Sequence, residues 1–410
     1  MRDAGEAVRA AYPQALATLT RVLGSLDAAG DALHVAVERA LVRWPQEFPS
    51  NAVAWLVATA RNHAIDQVRR QVVHDRFVNA EALAARPAPS ADDGLAPHLR
   101  DDMLRLIFTC CHPRLSPDSQ VSLTLRTVVG LTVHEIARAY LVSPSSMERR
   151  LTRARIALRE AKIPYEVPTA DELPSRLAAA CAVVVSLFDQ GYTYPADADH
   201  LRPELCNLAI RLARLLARMF PHDAEVAGML ALLLLQHART AARTSADGAF
   251  VSLEDQDRSA WDQTMIREGR ALIQRALFRD DLGPYQLQGA IAATHCAAAT
   301  FEATAWGEIA TLYGLLHDYR PTATVALNRC VAVAKAQGAA AGLAELEALP
   351  AEHLSRLELQ HRYFAVRGHL LEELGQIALA REAFAEAAAL RPGPVEREYL
   401  EAKLRALRSQ

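Results

Sequence analysis

Apolar residues recur at helical spacing along most of this chain, and the interruptions in that spacing divide it. From Ala7 to about Val78 they return every three or four positions, which is the repeat of helices with one buried side. The stretch AEALAARPAPSADDGLAPHLRDD then breaks the pattern with Pro87, Pro89, Gly94 and Pro97, residues that end or interrupt a helix. Periodicity resumes from Asp101 to Lys162, with breaks at His112–Ser119, where Pro113 and Pro117 fall, and around Gly130. IPYEVPTADELP, with Pro164, Pro168 and Pro174, closes that block.

The rest, to Gln410, reads as helices of one to two dozen residues joined by turns such as GYTYPAD, FPHD, TSADG and RDDLGP, the expected pattern of stacked helical hairpins. Near the end, Phe364, Gly368, Leu371, Ala380, Phe384, Ala387 and Pro392 resemble the tetratricopeptide spacing. In that spacing, small residues let two helices approach and aromatics fill the gap. Asn328–Pro350, broken at Gly338, resembles a degenerate second copy. The fold class is therefore all-α. The breaks set four spans: 1–78, a connection at 79–99, 100–163 and 164–410.

Within the second block, residues 130–160 read GLTVHEIARAYLVSPSSMERRLTRARIALRE. Thr132 and Glu135 stand in capping-box register, so a helix starts there with Ile136, Ala137 and Tyr140 inward. After a turn at Leu141–Val142, Ser143 and Pro144 open a second helix, whose Met147, Leu151, Ala154 and Leu158 form one buried stripe. Ser145, Ser146, Arg149, Arg150 and Arg153 are left on the opposite side, where a recognition helix presents groups to base edges and phosphates. Arg155 and Arg159 add flanking charge. The alternative is an ordinary helix pair with a solvated arginine face.

The first block holds AWLVATARNHAIDQVRR from Ala54 to Arg70. Trp55, Leu56, Ala60, Ala64 and Val68 can bury one side, leaving Arg61, Asn62, Asp66, Arg69 and Arg70 on the other. Amides and guanidinium groups beside a tryptophan suit a melted strand, because they can read an exposed base edge and grip the backbone. A solvated helix face is again the alternative.

Charge supports a polyanion partner for the N-terminal part. The first 163 residues hold 21 Lys and Arg against 17 Asp and Glu, a balance of +4, whereas the remainder holds 24 against 31, or −7. The six cysteines include no CxxC pair. The adjacent Cys110 and Cys111 would point about 100° apart on a helix and chelate poorly, so they read as buried thiols. No metal or cofactor is expected. Apolar runs such as Val226–Leu235 are too short to span a bilayer, and the opening MRDAGEAV lacks the apolar core of a signal peptide; a cytoplasmic protein with no membrane contact is expected. Asp255, Asp257, Arg258 and Asp262 could line a pocket, but a solvated loop and helix start is the simpler reading. There is no Gly-rich phosphate loop or partnered nucleophile, so no enzyme is expected.

The order and wording of the two basic motifs resemble the extracytoplasmic-function sigma factors of the sigma-70 family. There the first segment belongs to region 2 and the second to the helix-turn-helix region 4. LRLIFTCCHPRLSPDSQVSLTLR, IPYEVP, QDRSAWD and GPYQLQGAIAATH narrow the resemblance to group 42 of these factors, which carries a tetratricopeptide-like extension. That resemblance implies a promoter-specificity subunit whose partners are core RNA polymerase and promoter DNA. Arg61, Asn62, Asp66, Arg69 and Arg70 would face the minus-10 element, and Ser145, Ser146, Arg149, Arg150 and Arg153 the minus-35 element. Polymerase would be contacted through Asp31, His34, Val35 and Glu38; the family usually has Gln and an acid where this chain has His34 and Val35. The acidic tail would regulate activity through intramolecular contact with the sigma domains or through polymerase. The competing readings are a stand-alone, ligand-responsive helix-turn-helix regulator and an enzyme with a helical substrate domain.

Overall fold

In the computed structural model the described residues are 4–72, 95–140, 142–161, 163, 165–192, 203–245, 251–278, 282–349, 357–390 and 394–407. Most of the connection at 79–99, Leu141 in the expected turn, Pro392, and the side chains of Val68, Arg69 and Arg70 lie outside them. Among the described residues the regular structure is helical throughout, as the apolar spacing predicts. The chain forms two compact units, residues 1–186 and 187–410.

The first unit opens with α1 (Ala4–Leu23), α2 (Leu26–Arg43) and α3 (Ala52–Val72). Ala29, Ala32, Ala36 and Ala40 form a narrow buried face on α2. That face lets the flanking helices close in while Leu16, Leu19, Leu33 and Leu56 fill the core. Gly24 ends α1 at φ 73°, a left-handed turn that costs glycine little, and Ser25 caps α2. Trp44, 2% exposed, closes one end of the bundle against Phe48 and Trp55, with ring centroids 5.3 and 5.5 Å away.

Four further helices follow: α4 (Leu95–Cys110), α5 (Pro117–Thr127), α6 (Val133–Ala139) and α7 (Pro144–Glu160). The start of α4 lies inside the stretch that its prolines marked as a connection. Pro97 falls in the first turn, where a backbone amide has no partner within the helix. Cys110, the last residue of α4, and Cys111 just after it are both buried. Their thiols lie 2.9 and 3.6 Å from the hydroxyls of Thr127 and Thr124, and burial pushes Cys111 up to about 11. They are packing residues.

One helix among the described residues, α8 (Leu173–Tyr192), is long and apolar enough by length and composition to cross a membrane, which the inspection of apolar runs did not anticipate. Leu177, Ala180, Cys181, Val184, Leu187 and Phe188 on it are buried in protein, and Arg176 donates to the Phe108 carbonyl at 2.6 Å. It is a core helix.

In the second unit α9 (Pro203–Met219), α10 (Ala224–His237), α11 (Gln263–Leu277), α12 (Pro284–Ala297) and α13 (Trp306–Tyr319) are followed by α14 (Ala323–Gln337), α15 (Ala339–Glu347), α16 (Leu357–Glu373), α17 (Ile377–Ala389) and α18 (Pro394–Ala406). From α9 onward each helix packs on the next. The apolar run Val226–Leu235 lies on α10 and is almost entirely buried. Gly368 leaves room for Phe384, whose ring would stand 2.8 Å from an added Cβ, so the aromatic fills the gap that the spacing predicts. Gly338, at φ 99°, separates α14 from α15.

Two quoted motifs hold this unit together. In GPYQLQGAIAATH the Glu225 carboxylate accepts from the amides of Tyr285 and Gln286 at 3.0 and 2.9 Å, capping α12 from another helix, and a Cβ on Gly283 would collide with it. In QDRSAWD, Asp257 and Asp262 cap a short 3-10 turn and α11. Arg258 donates to the carbonyls of His295 and Ala298 at 2.7 and 2.8 Å and lies 4.7 Å from the Trp261 ring centroid. These charges are structural bonds, where the sequence left a pocket or a solvated loop open.

Candidate nucleic-acid interface

The helix pair α6–α7 forms as its local chemistry dictates. The Glu135 amide donates to the Thr132 hydroxyl at 3.2 Å while the Thr132 amide donates to the Glu135 carboxylate at 2.8 Å, so both halves of the capping box are made. The paired Arg9 and these bonds hold the Glu135 carboxyl below its usual range against the opposing effect of burial, which is the largest single influence on it. The Ser146 amide donates to Ser143 at 3.2 Å, and Pro144 occupies the first turn of α7. Met147, Leu151, Ala154 and Leu158 are all buried.

Burial of that stripe fixes the opposite face. Ser145, Arg149 and Arg153 are exposed there, and Ser146 is half-buried at the helix start. Arg149 donates to the Ser146 hydroxyl at 3.0 Å, which holds its guanidinium near the N-terminal end of α7. Arg150 is placed differently. Its side chain is 25% exposed, lies 5.6 Å from the Tyr140 ring centroid and reaches Asp118 of α5 at 4.0 Å. It ties α7 to its two neighbours within the unit. Arg150→Ala is therefore expected to destabilise the first unit by about 0.5–1.5 kcal/mol through the lost cation–π contact and packing. Chemical denaturation measures this, and an unchanged midpoint would return Arg150 to the open face.

On α3, Leu56, Val57 and Ala60 are buried and Trp55 and Ala64 partly so. Asn62 and Asp66 are exposed one helical turn apart, whereas Arg61 is half-buried. Between α2 and α3 lies an open groove of about 570 Å³ lined by Glu38, Arg39, Val42, Arg43, Trp55, Thr59 and Asn62. Sequence reasoning named Asn62 for the DNA face and Glu38 for polymerase and gave Trp55 to the buried side, but missed Arg39, Val42, Arg43 and Thr59. Their spacing on each helix was visible; which faces of the two helices meet was not. The groove offers an indole edge, two guanidinium groups and an amide within one opening, a set suited to an unstacked base and its phosphate.

Asp31, His34 and Glu38 are exposed on α2, with Val35 half-buried among them. His34 Nε2 lies 3.4 Å from Glu38, an exposed pair one turn apart. Among the described residues no group of three or more His, Cys, Asp or Glu is gathered to hold a metal ion.

Comparison with known proteins places matches on both segments of the first unit. Residues 7–72 match the sigma-70 region 2 family and residues 105–158 match sigma-70 region 4, so the three-helix bundle and the capped helix pair fall within the two matched segments. The chain carries sigma-70 region 2 and region 4 domains. Residues 176–277 match a family of unknown function, DUF6596. An uncharacterized protein of Rhizobium meliloti (strain 1021) is 43% identical over 97% of this chain and 94% of its own length. The RNA polymerase sigma factor CarQ of Myxococcus xanthus is 32% identical over 26% of this chain and 59% of its own length. No solved structure matches the chain. Region 2 thus contributes the groove between α2 and α3, and region 4 the exposed face of α7.

Proposed function

We propose that this chain is an alternative sigma factor of the sigma-70 family and of the extracytoplasmic-function type, resembling group 42 with its tetratricopeptide-like extension. It acts in the cytoplasm by directing core RNA polymerase to specific promoters and has no active site of its own. In this reading residues 1–78 are region 2, 79–99 the connection, 100–163 region 4 and 164–410 a regulatory helical domain. The observation that carries it is the coexistence of two faces on one chain: an open recognition helix, and a groove fit for a melted base. A regulator of duplex DNA has use for the first alone.

Region 4 reads the minus-35 element through Ser145, Ser146, Arg149 and Arg153, with Arg150 supporting the helix from behind. Region 2 holds the melted minus-10 strand at Asn62 and Asp66, joined by Trp55, Arg61, Arg69 and Arg70 along α3 and by Arg39 and Arg43 across the groove. The exposed side of α2, with Asp31, His34, Val35 and Glu38, meets polymerase.

Transcription from a candidate promoter by purified core polymerase, with and without the chain, tests the class. Initiation dependent on the chain supports it, and promoter binding without any effect on core polymerase rejects it. Asn62→Ala is expected to slow open-complex formation while duplex binding changes little, since its partner is exposed only after melting. Permanganate reactivity of unpaired thymines reads this step. Melting at the unaltered rate would remove Asn62 from the assignment.

A further inference from the structure

In the sequence IPYEVP, residues 165–168 belong to neither DNA face, yet Tyr165 is tied to both sigma domains. The Tyr165 hydroxyl lies within donating distance of two carbonyls, Ala17 on α1 of region 2 at 3.0 Å and Asp102 on α4 of region 4 at 3.2 Å. Beside it the buried Asp102 carboxylate accepts from Arg21 of α1 and Arg105 of α4, each at 2.8 Å. The same face of α1 meets the helix-turn-helix. Arg9 pairs with Glu135 at 3.1 Å, and the Arg126 guanidinium lies 5.7 Å from the Tyr12 ring centroid. Pro13 has no amide to offer the Arg9 carbonyl, and Gly130 packs there, with its Cβ position 3.6 Å from both that oxygen and the Pro13 ring. Asp27, just inside α2, and Arg159, at the end of α7, add a pair at 3.8 Å.

This packing is incompatible with the proposed promoter complex. Elements about 25 base pairs apart are separated by ~85 Å of duplex at about 3.4 Å per base pair. A compact body of the size of residues 1–186 has a radius of gyration of roughly 16 Å, hence a diameter near ~40 Å. Region 2 and region 4 must part for both elements to be held at once.

We propose that residues 165–168 are a strap that latches region 4 onto region 2, and that promoter engagement requires Tyr165 to leave its seat between Ala17 and Asp102. This rests on the sigma-factor reading and adds a regulated step to it. The strap leads directly into α8, whose sequence runs on into the second unit. Arg176 fixes the start of α8 to the Phe108 carbonyl of α4 at 2.6 Å. A force or ligand acting on the second unit therefore has a covalent route to the latch.

The test uses the full-length chain carrying spin labels at Gln46→Cys and Glu160→Cys, both at exposed positions of the first unit. Five native thiols are buried and the sixth, Cys296, is half-buried and pushed up to about 11 by burial, so the introduced thiols label first. Pulsed dipolar spectroscopy of the free chain should give one short distance. Tyr165→Phe, which keeps the ring and removes the hydroxyl, and Arg21→Ala, which leaves Asp102 bonded to Arg105, should each add a population at longer distance. Core polymerase should convert all forms to the long distance. Loss of one such bond should raise the open fraction, and with it the apparent affinity for core, by about 2–10-fold. Unchanged distances in both variants, or a short distance that persists on core polymerase, would overturn the strap. If none of the forms binds core, the sigma-factor reading fails, while the distances in the free chain still decide the latch.

Discussion

Replacing Arg149 and Arg153 together with alanine should lower affinity for a minus-35 duplex roughly 30-fold to more than 1,000-fold. The range follows from about 1–3 kcal/mol for each arginine that contacts a base. Both side chains are exposed on the face of α7 opposite its buried stripe. Alanine is the better helix former, so the helix itself loses nothing by the change. If either arginine contacts only phosphate, the slope of log affinity against log salt falls by about one for that residue. Fluorescence anisotropy at several salt concentrations separates the two outcomes. Unaltered affinity and unaltered slope in the double variant would mean that this face looks at water. The contrast with Arg150→Ala is part of the expectation: the open pair acts on DNA affinity with little change in stability, and the folded-back residue acts the other way.

Arg258→Ala should destabilise the second unit by about 2–4 kcal/mol, from two charge-assisted bonds to carbonyl groups and the stack on Trp261. The guanidinium closes the end of α12 through the carbonyls of His295 and Ala298, and alanine leaves both unbonded. Arg258→Lys should recover little, since a single ammonium cannot reproduce the planar fork. Thermal unfolding should show the lowered transition, while the transition of the first unit stays in place. A midpoint within 1 °C or so of the unaltered protein, where about 2–4 °C per kcal/mol is expected, would show these bonds to be replaceable by water. The same variant bears on regulation. Transcription that changes while the first unit remains folded would support control by the C-terminal domain, and identical output across promoters would argue against it.

Local rules carried the reading of region 4. Capping box, Ser-Pro helix start and apolar stripe each act within a dozen residues, so Thr132, Glu135, Ser143, Pro144 and the Met147–Leu158 stripe were legible as sequence and occur as read. The all-α class was legible for the same reason, since apolar spacing reports helices wherever one side must be buried. Arg150 was not. It has the same side-chain chemistry as Arg149 and stands next to it, and only the positions of Tyr140 and Asp118, set by the packing of α5 and α6 against α7, decide that it turns inward.

Length and charge could show that two basic segments and an acidic tail share this chain, because such totals need no coordinates. They could not show that Arg39 and Arg43 stand across a groove from Trp55 and Asn62, since a helix pattern states which residues share a face but not which face of a neighbour it meets. The same limit hid the roles of two motifs. Gly283 and Glu225 are 58 positions apart in the numbering, and their near-contact comes from α12 packing against α10. Tyr165 follows a helix by a few residues and reads as linker. Its place between α1 and α4 exists only because the two sigma domains fold onto one another, which brings carbonyls from distant parts of the chain to one hydroxyl.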